Sequence, residues 1–151
     1  MPRTLPRALA ILALGAALGI VINLVSPDRI AWIRPSLPAA DRVSLDKAKT
    51  AWQTGDTIFL DARTPTNYHL AHIPGSLNLN VEDFDAAFPA VRPRLAPEQP
   101  LILYCDGAHC DQSVRLLERL RSLGYTNAHI LVNGLTVWKR DNQPLAKGAN
   151  P

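Results

Sequence analysis

Pro100-Leu101-Ile102-Leu103-Tyr104-Cys105-Asp106-Gly107-Ala108-His109-Cys110-Asp111-Gln112 is the stretch from which the fold is read. Its first six residues form an apolar run, as expected of a strand buried on both faces. Residues 106–111 make a short polar loop, and a helical pattern begins at about Gln112. The run therefore places a thiol at the carboxyl end of a buried strand, facing the start of a helix. Unpaired N–H groups and the positive end of the helix dipole favour a thiolate at such a place. Cys105 and Cys110 are the only two cysteines in the chain, too few for a disulfide-built scaffold.

Working outward, the helix after the loop is the clearest in the sequence. Val114, Leu117 and Leu120, with Leu116 and Leu123, form an apolar stripe, and Gly124 supplies the stop. Residues 128–132 read as a strand and residues 136–141 as a closing helix. On the amino-terminal side, residues 44–52 suit a short helix capped by Ser44. Thr57-Ile58-Phe59-Leu60-Asp61 is a buried strand introduced by Gly55-Asp56. Residues 66–70 make about one helical turn, with Pro65 near its start. Residues 76–80 alternate like a half-buried strand, and residues 81–90 read as a helix ending at Pro89. A proline-rich bridge, residues 92–100, leads back to the cysteine strand. Strands separated by helices predict an α/β domain, a small parallel sheet flanked by helices on both faces. Ligands of such sheets sit beyond the carboxyl ends of the strands, where Cys105 lies.

The start of the chain is of another kind. From Ala8 to Val25 no residue carries a formal charge, and Arg3 and Arg7 precede the run. It is just long enough to cross a bilayer as a helix. Residues 1–25 are predicted to be a transmembrane signal-anchor helix. A cleaved signal peptide is the rival, disfavoured by the length of the run and by the lack of a small-x-small site. The short basic flank is expected to stay in the cytoplasm. That puts the rest outside it, in the periplasm if the cell is bacterial. Residues 26–42, with Pro27, Pro35 and Pro38, read as a linker. Residues 43–146 are the expected domain and residues 147–151 a disordered tail. The net charge of +3 is modest, and no basic run has interleaved aromatics, so nucleic acid is not an expected partner.

Four segments make the domain resemble the rhodanese-like family of sulfurtransferases. Leu60-Asp61-Ala62-Arg63 is similar to that family's strand ending in Asp-x-Arg. Tyr68-His69-Leu70-Ala71-His72-Ile73-Pro74-Gly75-Ser76-Leu77-Asn78 is similar to its Tyr-x-x-Gly-His-Ile-Pro-Gly-Ala-x-Asn segment. Leu103-Tyr104-Cys105, its loop and helix, and Leu123-Gly124-Tyr125 match the family's active-site region. Leu131-Val132-Asn133-Gly134, with Trp138 and Pro144, matches its closing segment. The resemblance implies a rhodanese-like fold and transfer of sulfane sulfur through a persulfide on Cys105, with no cofactor and no metal. It implies that the loop, Asp106, Gly107, Ala108, His109, Cys110 and Asp111, binds the donor through backbone N–H groups. The partners would be a small sulfur donor and a thiol or cyanide-type acceptor, including a protein thiol. Asp61 and Arg63 are expected to support the loops near the site.

The chain departs from the family in the loop. The usual pattern is Cys-x-x-Gly-x-Arg-Ser, and Cys110 stands where the arginine is expected. Loop and helix together are about two residues longer than usual. Asp106 and Asp111 add negative charge, which favours a neutral persulfide or polysulfide, or a protein donor, over thiosulfate. Cys110 is either a tolerated small residue or a resolving thiol that closes a disulfide with Cys105. Two alternatives therefore stand beside sulfur transfer: a dithiol–disulfide redox protein using both cysteines, and a catalytically inactive binding module. His109 reads as a loop residue. Its spacing to the cysteines is too cramped for a structural metal site. Ser113 is expected to cap the helix, Asn133 to tolerate left-handed backbone in place of a glycine, and Tyr125 and Trp138 to pack.

Overall fold

The computed structural model describes residues 4–26, 37–107 and 111–149. The chain divides into two units, residues 1–36 and residues 37–151. The first contains helix α1, Thr4–Val25. Its 18-residue span Ala8–Val25 is long and apolar enough to cross a membrane. Leu12, Leu14 and Val25 along it are exposed.

The second unit is an α/β domain. Its elements run β1 (Arg42–Val43), α2 (Leu45–Thr54), β2 (Ile58–Asp61), α3 (Pro65–Leu70), β3 (Leu77–Asn78), α4 (Phe84–Val91), β4 (Leu101–Tyr104), α5 (Gln112–Ser122), β5 (Ala128–Leu131) and α6 (Gly134–Arg140). The five strands form one sheet in the order β1-β5-β4-β2-β3. Every pairing is parallel. The cysteine strand β4 is central, with Asp61↔Tyr104 on one side and Leu103↔Ile130 on the other.

Alternation along β4 shows why both faces are covered. Leu101, Leu103 and Cys105 pack with Leu116, Leu117 and Leu120 of α5 and with Phe84 and Val91 of α4. Ile102 and Tyr104 point the other way, to Ala48 of α2 and Leu135 and Trp138 of α6. A strand apolar on both sides needs helices on both sides. The apolar stripe read from the sequence of α5 is its core face.

Local chemistry sets the helix ends. Ser44 accepts a hydrogen bond from the Lys47 N–H at 3.4 Å, and Gly55 closes α2 in the left-handed region at φ 75°. Thr64 caps α3, with Pro65 in its first turn.

Several boundaries differ from the sequence expectation. Arg42–Val43, which straddles the expected boundary of linker and domain, is an edge strand paired with β5. Leu37 packs on the core, and Ala39–Asp41 is a 3₁₀ turn. The span is too short to show a period of its own, so pairing and not pattern defines it. The half-buried strand shrinks to Leu77–Asn78. Helix α4 starts later than expected and runs through Pro89 to Val91. Pro89 is exposed, so water can take the carbonyl that its missing N–H leaves unpaired. Helix α6 begins two residues early, at Gly134. At the carboxyl end, Ala146 pairs with His72 and the Gly148 N–H reaches the His69 carbonyl at 3.0 Å.

Candidate active site

Cys105 follows the last residue of β4 and is 4% exposed. Its sulfur points to the α5 side of the sheet. The hydroxyl of Ser113, in the first turn of α5, lies 3.4 Å from Cys105 Sγ. Cys105 is disulfide-bonded and not a free thiol. The chain's other cysteine, Cys110, lies with Ala108 and His109 outside the described residues.

The backbone around Cys105 is clamped from the opposite side. The Leu135 N–H donates to the Cys105 carbonyl at 2.9 Å, and Asp106 and Gly134 form an antiparallel bridge. Gly134 is required there. A Cβ at this position would overlap the Cys105 carbonyl oxygen, and its φ of +29° disfavours other residues. Asn133 before it is left-handed at φ 58°. That is the tolerance expected of asparagine. The start of α6 thus rests directly on the backbone of the cysteine.

Asp106 is partly exposed and held on two sides. Thr136 Oγ1 donates to Asp106 Oδ1 at 2.6 Å. Arg63 Nη1 lies 3.9 Å from Asp106 Oδ2. Gly107 turns the chain at φ 78°. Asp111 occupies the cap position of α5, with no side-chain cap bond.

Asp61 and Arg63 form a buried pair beside this loop. Arg63 Nε donates to Asp61 Oδ1 at 2.9 Å and Nη2 to Oδ2 at 2.6 Å. Nη2 also donates to the Ala71 carbonyl at 2.6 Å. Burial opposes the charge on Arg63, but the hydrogen bonds and charge of Asp61 outweigh it and hold its pKa above the ordinary value. Asn78 Nδ2 ties the Asp61 and Arg63 carbonyls together. The guanidinium is therefore committed to two carboxylates and a carbonyl.

Tyr104 extends the polar network behind the strand. Its hydroxyl accepts from the Ile73 N–H at 3.1 Å and meets Ser76 Oγ at 2.8 Å. Burial, with the Asp61 charge nearby, pushes its pKa up strongly. Tyr68 donates to the Ser76 carbonyl at 2.5 Å and stacks on the His72 ring. The segment 72–76 is a turn packed under the site, with Gly75 at φ 80°.

Sequence reasoning did not find Ser113, Thr136 or Leu135 as neighbours of the cysteine loop. Ser113 does not cap α5, since Asp111 holds that position. The available signal was the serine that ends the Cys-x-x-Gly-x-Arg-Ser pattern, which a loop two residues longer moves to Ser113. Among the described residues no three His, Cys, Asp or Glu side chains gather as a metal site would require.

The rhodanese-like domain family matches residues 44–141. The chain belongs to that family. It is 24% identical over 98 residues to a thiosulfate sulfurtransferase, GlpE, of Tolumonas auensis, covering 65% of this chain and 87% of that protein. It is 27% identical over 112 residues to the adenylyltransferase and sulfurtransferase MOCS3-1 of Zea mays, 72% of this chain but only 24% of that longer protein. Among solved structures, the human single domain sulfurtransferase TSTD1 superposes with a TM-score of 0.58 at 25% identity, over 68% of this chain and 97% of that one. SseA from Escherichia coli superposes with a TM-score of 0.63 at 23% identity, over 72% and 51% of the two chains. The five-stranded parallel sheet with its covering helices is thus the rhodanese-like fold.

Proposed function

We propose that this rhodanese-like protein is a membrane-anchored sulfurtransferase that carries sulfane sulfur on Cys105. The observation that carries the reading is the position of Cys105, at the end of the central parallel strand and against the first turn of α5. The Cys105 thiolate attacks the outer sulfur of a donor. A bond forms from Sγ to that sulfur, the donor's S–S bond breaks, and the donor's remainder leaves with the electron pair. An acceptor thiolate then attacks the outer sulfur of the persulfide and Cys105 leaves as thiolate. The two steps together are covalent catalysis with no net oxidation. Loop N–H groups at residues 106–111 stabilise the anionic persulfide. The carboxylates of Asp106 and Asp111, with Arg63 already committed, favour a neutral polysulfide or a protein persulfide over thiosulfate as donor.

The test is mass spectrometry of reduced full-length protein in detergent after treatment with a low-molecular-weight alkyl persulfide or thiosulfate. The expected result is an adduct of about 32 Da, one sulfur atom, on Cys105. Transfer to a thiol acceptor is expected to vanish in Cys105→Ser and to persist in Cys110→Ser. No persulfide with any donor would leave the inactive binding module in its place.

The disulfide at Cys105 favours a second reading. On that reading Cys110 thiolate attacks Sγ of the Cys105 persulfide, hydrosulfide leaves, and the two cysteines close a disulfide that an external dithiol reopens. Loss of activity in both cysteine variants, with a measurable disulfide potential, would select it. Anchoring through residues 8–25 completes the proposal, with the domain on the extracytoplasmic side. A carboxyl-terminal reporter active only in the cytoplasm would reverse that orientation.

A further inference from the structure

We propose that Asp106 is the specificity-determining residue of the site: its carboxylate leaves one negative charge unmatched beside Cys105 and selects sulfur donors and acceptors that carry no negative charge next to the reacting sulfur. The inference rests on the sulfur-transfer reading and deepens it, by naming the residue that sets the charge class of both partners. Asp106 directly follows the cysteine. Consecutive Cα atoms are about 3.8 Å apart, so a molecule that reaches Sγ comes within range of this charge. The carboxylate is also held in place. Thr136 Oγ1 donates to Asp106 Oδ1 at 2.6 Å, and the antiparallel bridge to Gly134 fixes the backbone.

Charge matching singles this residue out. Glu82 has its own guanidinium in Arg115, at 2.5 Å, and Asp85 has one in Arg119, at 2.6 Å. Arg63 serves two carboxylates. Its hydrogen bonds go to Asp61, with Nη2 to Oδ2 at 2.6 Å. Asp106 meets only Nη1, at 3.9 Å, beyond hydrogen-bond range. Two carboxylates around one guanidinium leave one negative charge over. It falls on Asp106, because Asp61 is fully buried in its pair while Asp106 is half-exposed. Asp111 is charged as well, but it stands at the start of α5, where the positive end of the helix offsets it.

The consequence is specificity by repulsion. Thiosulfate brings two negative charges to the cysteine, and an alkyl persulfide brings at most one. The same charge acts when sulfur leaves. An acceptor thiol with a carboxylate beside its sulfur is disfavoured against one with an ammonium group there. No bond forms or breaks at Asp106, which acts on the approach of the partner and not on the exchange at sulfur. A half-exposed charge is screened by salt, so the selectivity weakens as ionic strength rises.

The experiment compares alkylation of Cys105 by iodoacetate, an anion, with alkylation by uncharged iodoacetamide. It uses reduced full-length protein in detergent, with the site read by peptide fragmentation. The ratio of the two rates reports the charge met at the cysteine and needs no sulfur transfer. Asp106→Asn keeps the size of the side chain and an acceptor for Thr136. It is expected to raise the iodoacetate-to-iodoacetamide ratio about tenfold, the scale of one unit charge nearby in a partly exposed setting. Asp106→Ser, a second uncharged variant, is expected to do the same, and Asp106→Glu to keep the wild-type ratio. In wild type the iodoacetate rate is expected to rise with salt, and in Asp106→Asn to rise less. Persulfide loading from thiosulfate relative to an alkyl persulfide, and discharge to mercaptopropionate relative to cysteamine, are expected to increase in Asp106→Asn by a similar factor. An unchanged alkylation ratio in folded Asp106→Asn, or a changed one with unchanged donor and acceptor ratios, would overturn the role of Asp106. A wild-type protein that takes sulfur from neither donor would overturn the sulfur-transfer reading, while the alkylation ratio still decides whether Asp106 repels anions at the cysteine.

Discussion

Asp61 and Arg63 meet where almost no water reaches either charge, their side chains 0% and 6% exposed. Such a pair is costly to break, because removing one partner strands the other. Arg63→Met is expected to lower stability by about 3–5 kcal/mol in urea unfolding. A loss no larger than that of an exposed arginine would show that the pair is not the support described. Tyr104→Phe removes the partner of the Ile73 N–H and of Ser76. It is expected to cost about 1–3 kcal/mol by the same measurement. Residues of this kind were legible in the sequence where they form strings. Asp61-Ala62-Arg63 and Tyr104-Cys105 stand on strand ends, and period-2 alternation already says where strand residues point. Thr136 was not legible as a site residue. Its contact depends on how the first turn of α6 is rotated, which no spacing along the chain records.

Among the elements, α6 has the closest bearing on the cysteine. Gly134→Ala is expected to push the start of α6 off the Cys105 backbone. Overpacking of this sort costs about 1–3 kcal/mol. The variant should show a lower Tm together with faster amide exchange at Leu135. A Tm equal to wild type would mean that the helix start tolerates the shift. The turn before β1 offers a pH test. Asp41 accepts from Arg121 at 2.6 and 3.0 Å. Those hydrogen bonds, working against a smaller effect of burial, hold its pKa below the ordinary value. A lowered carboxylate pKa stabilises the fold above the unfolded-state pKa and ceases to do so as pH falls through the folded-state value. Asp41→Asn is therefore expected to have a lower Tm than wild type at pH 7. The gap should close on acidification below about pH 4. A gap independent of pH would remove the ion pair as its cause. Elements with a full period, α5 above all, could be read from sequence. The two-residue strands could not, since β1 and β3 are defined by the neighbours they pair with.

At the scale of the molecule, the two units differ in composition. The span Ala8–Val25 has no charge to hold it in water. The domain from residue 37 onward has its own two-sided core. Full-length protein is expected to sediment with lipid vesicles at high salt. A fragment of residues 37–151 should remain in the supernatant with the far-ultraviolet dichroism of an α/β fold. Vesicle-bound fragment would point to a second membrane-binding surface. This division was visible from composition alone, because charge-free length is a property of the string and needs no tertiary partner.

The order in which the site is fastened has a consequence for synthesis. The bond from Thr136 to Asp106 joins residues 30 positions apart, and the Leu135 N–H that holds the Cys105 carbonyl lies just as far downstream. A growing chain therefore presents its cysteine strand well before the segment that secures it. Until that segment arrives, the backbone of Cys105 and Asp106 lacks the bonds that fix it from the α6 side. A chain that stops before residue 134 would therefore keep its cysteine strand but lose the clamp on the loop that follows it.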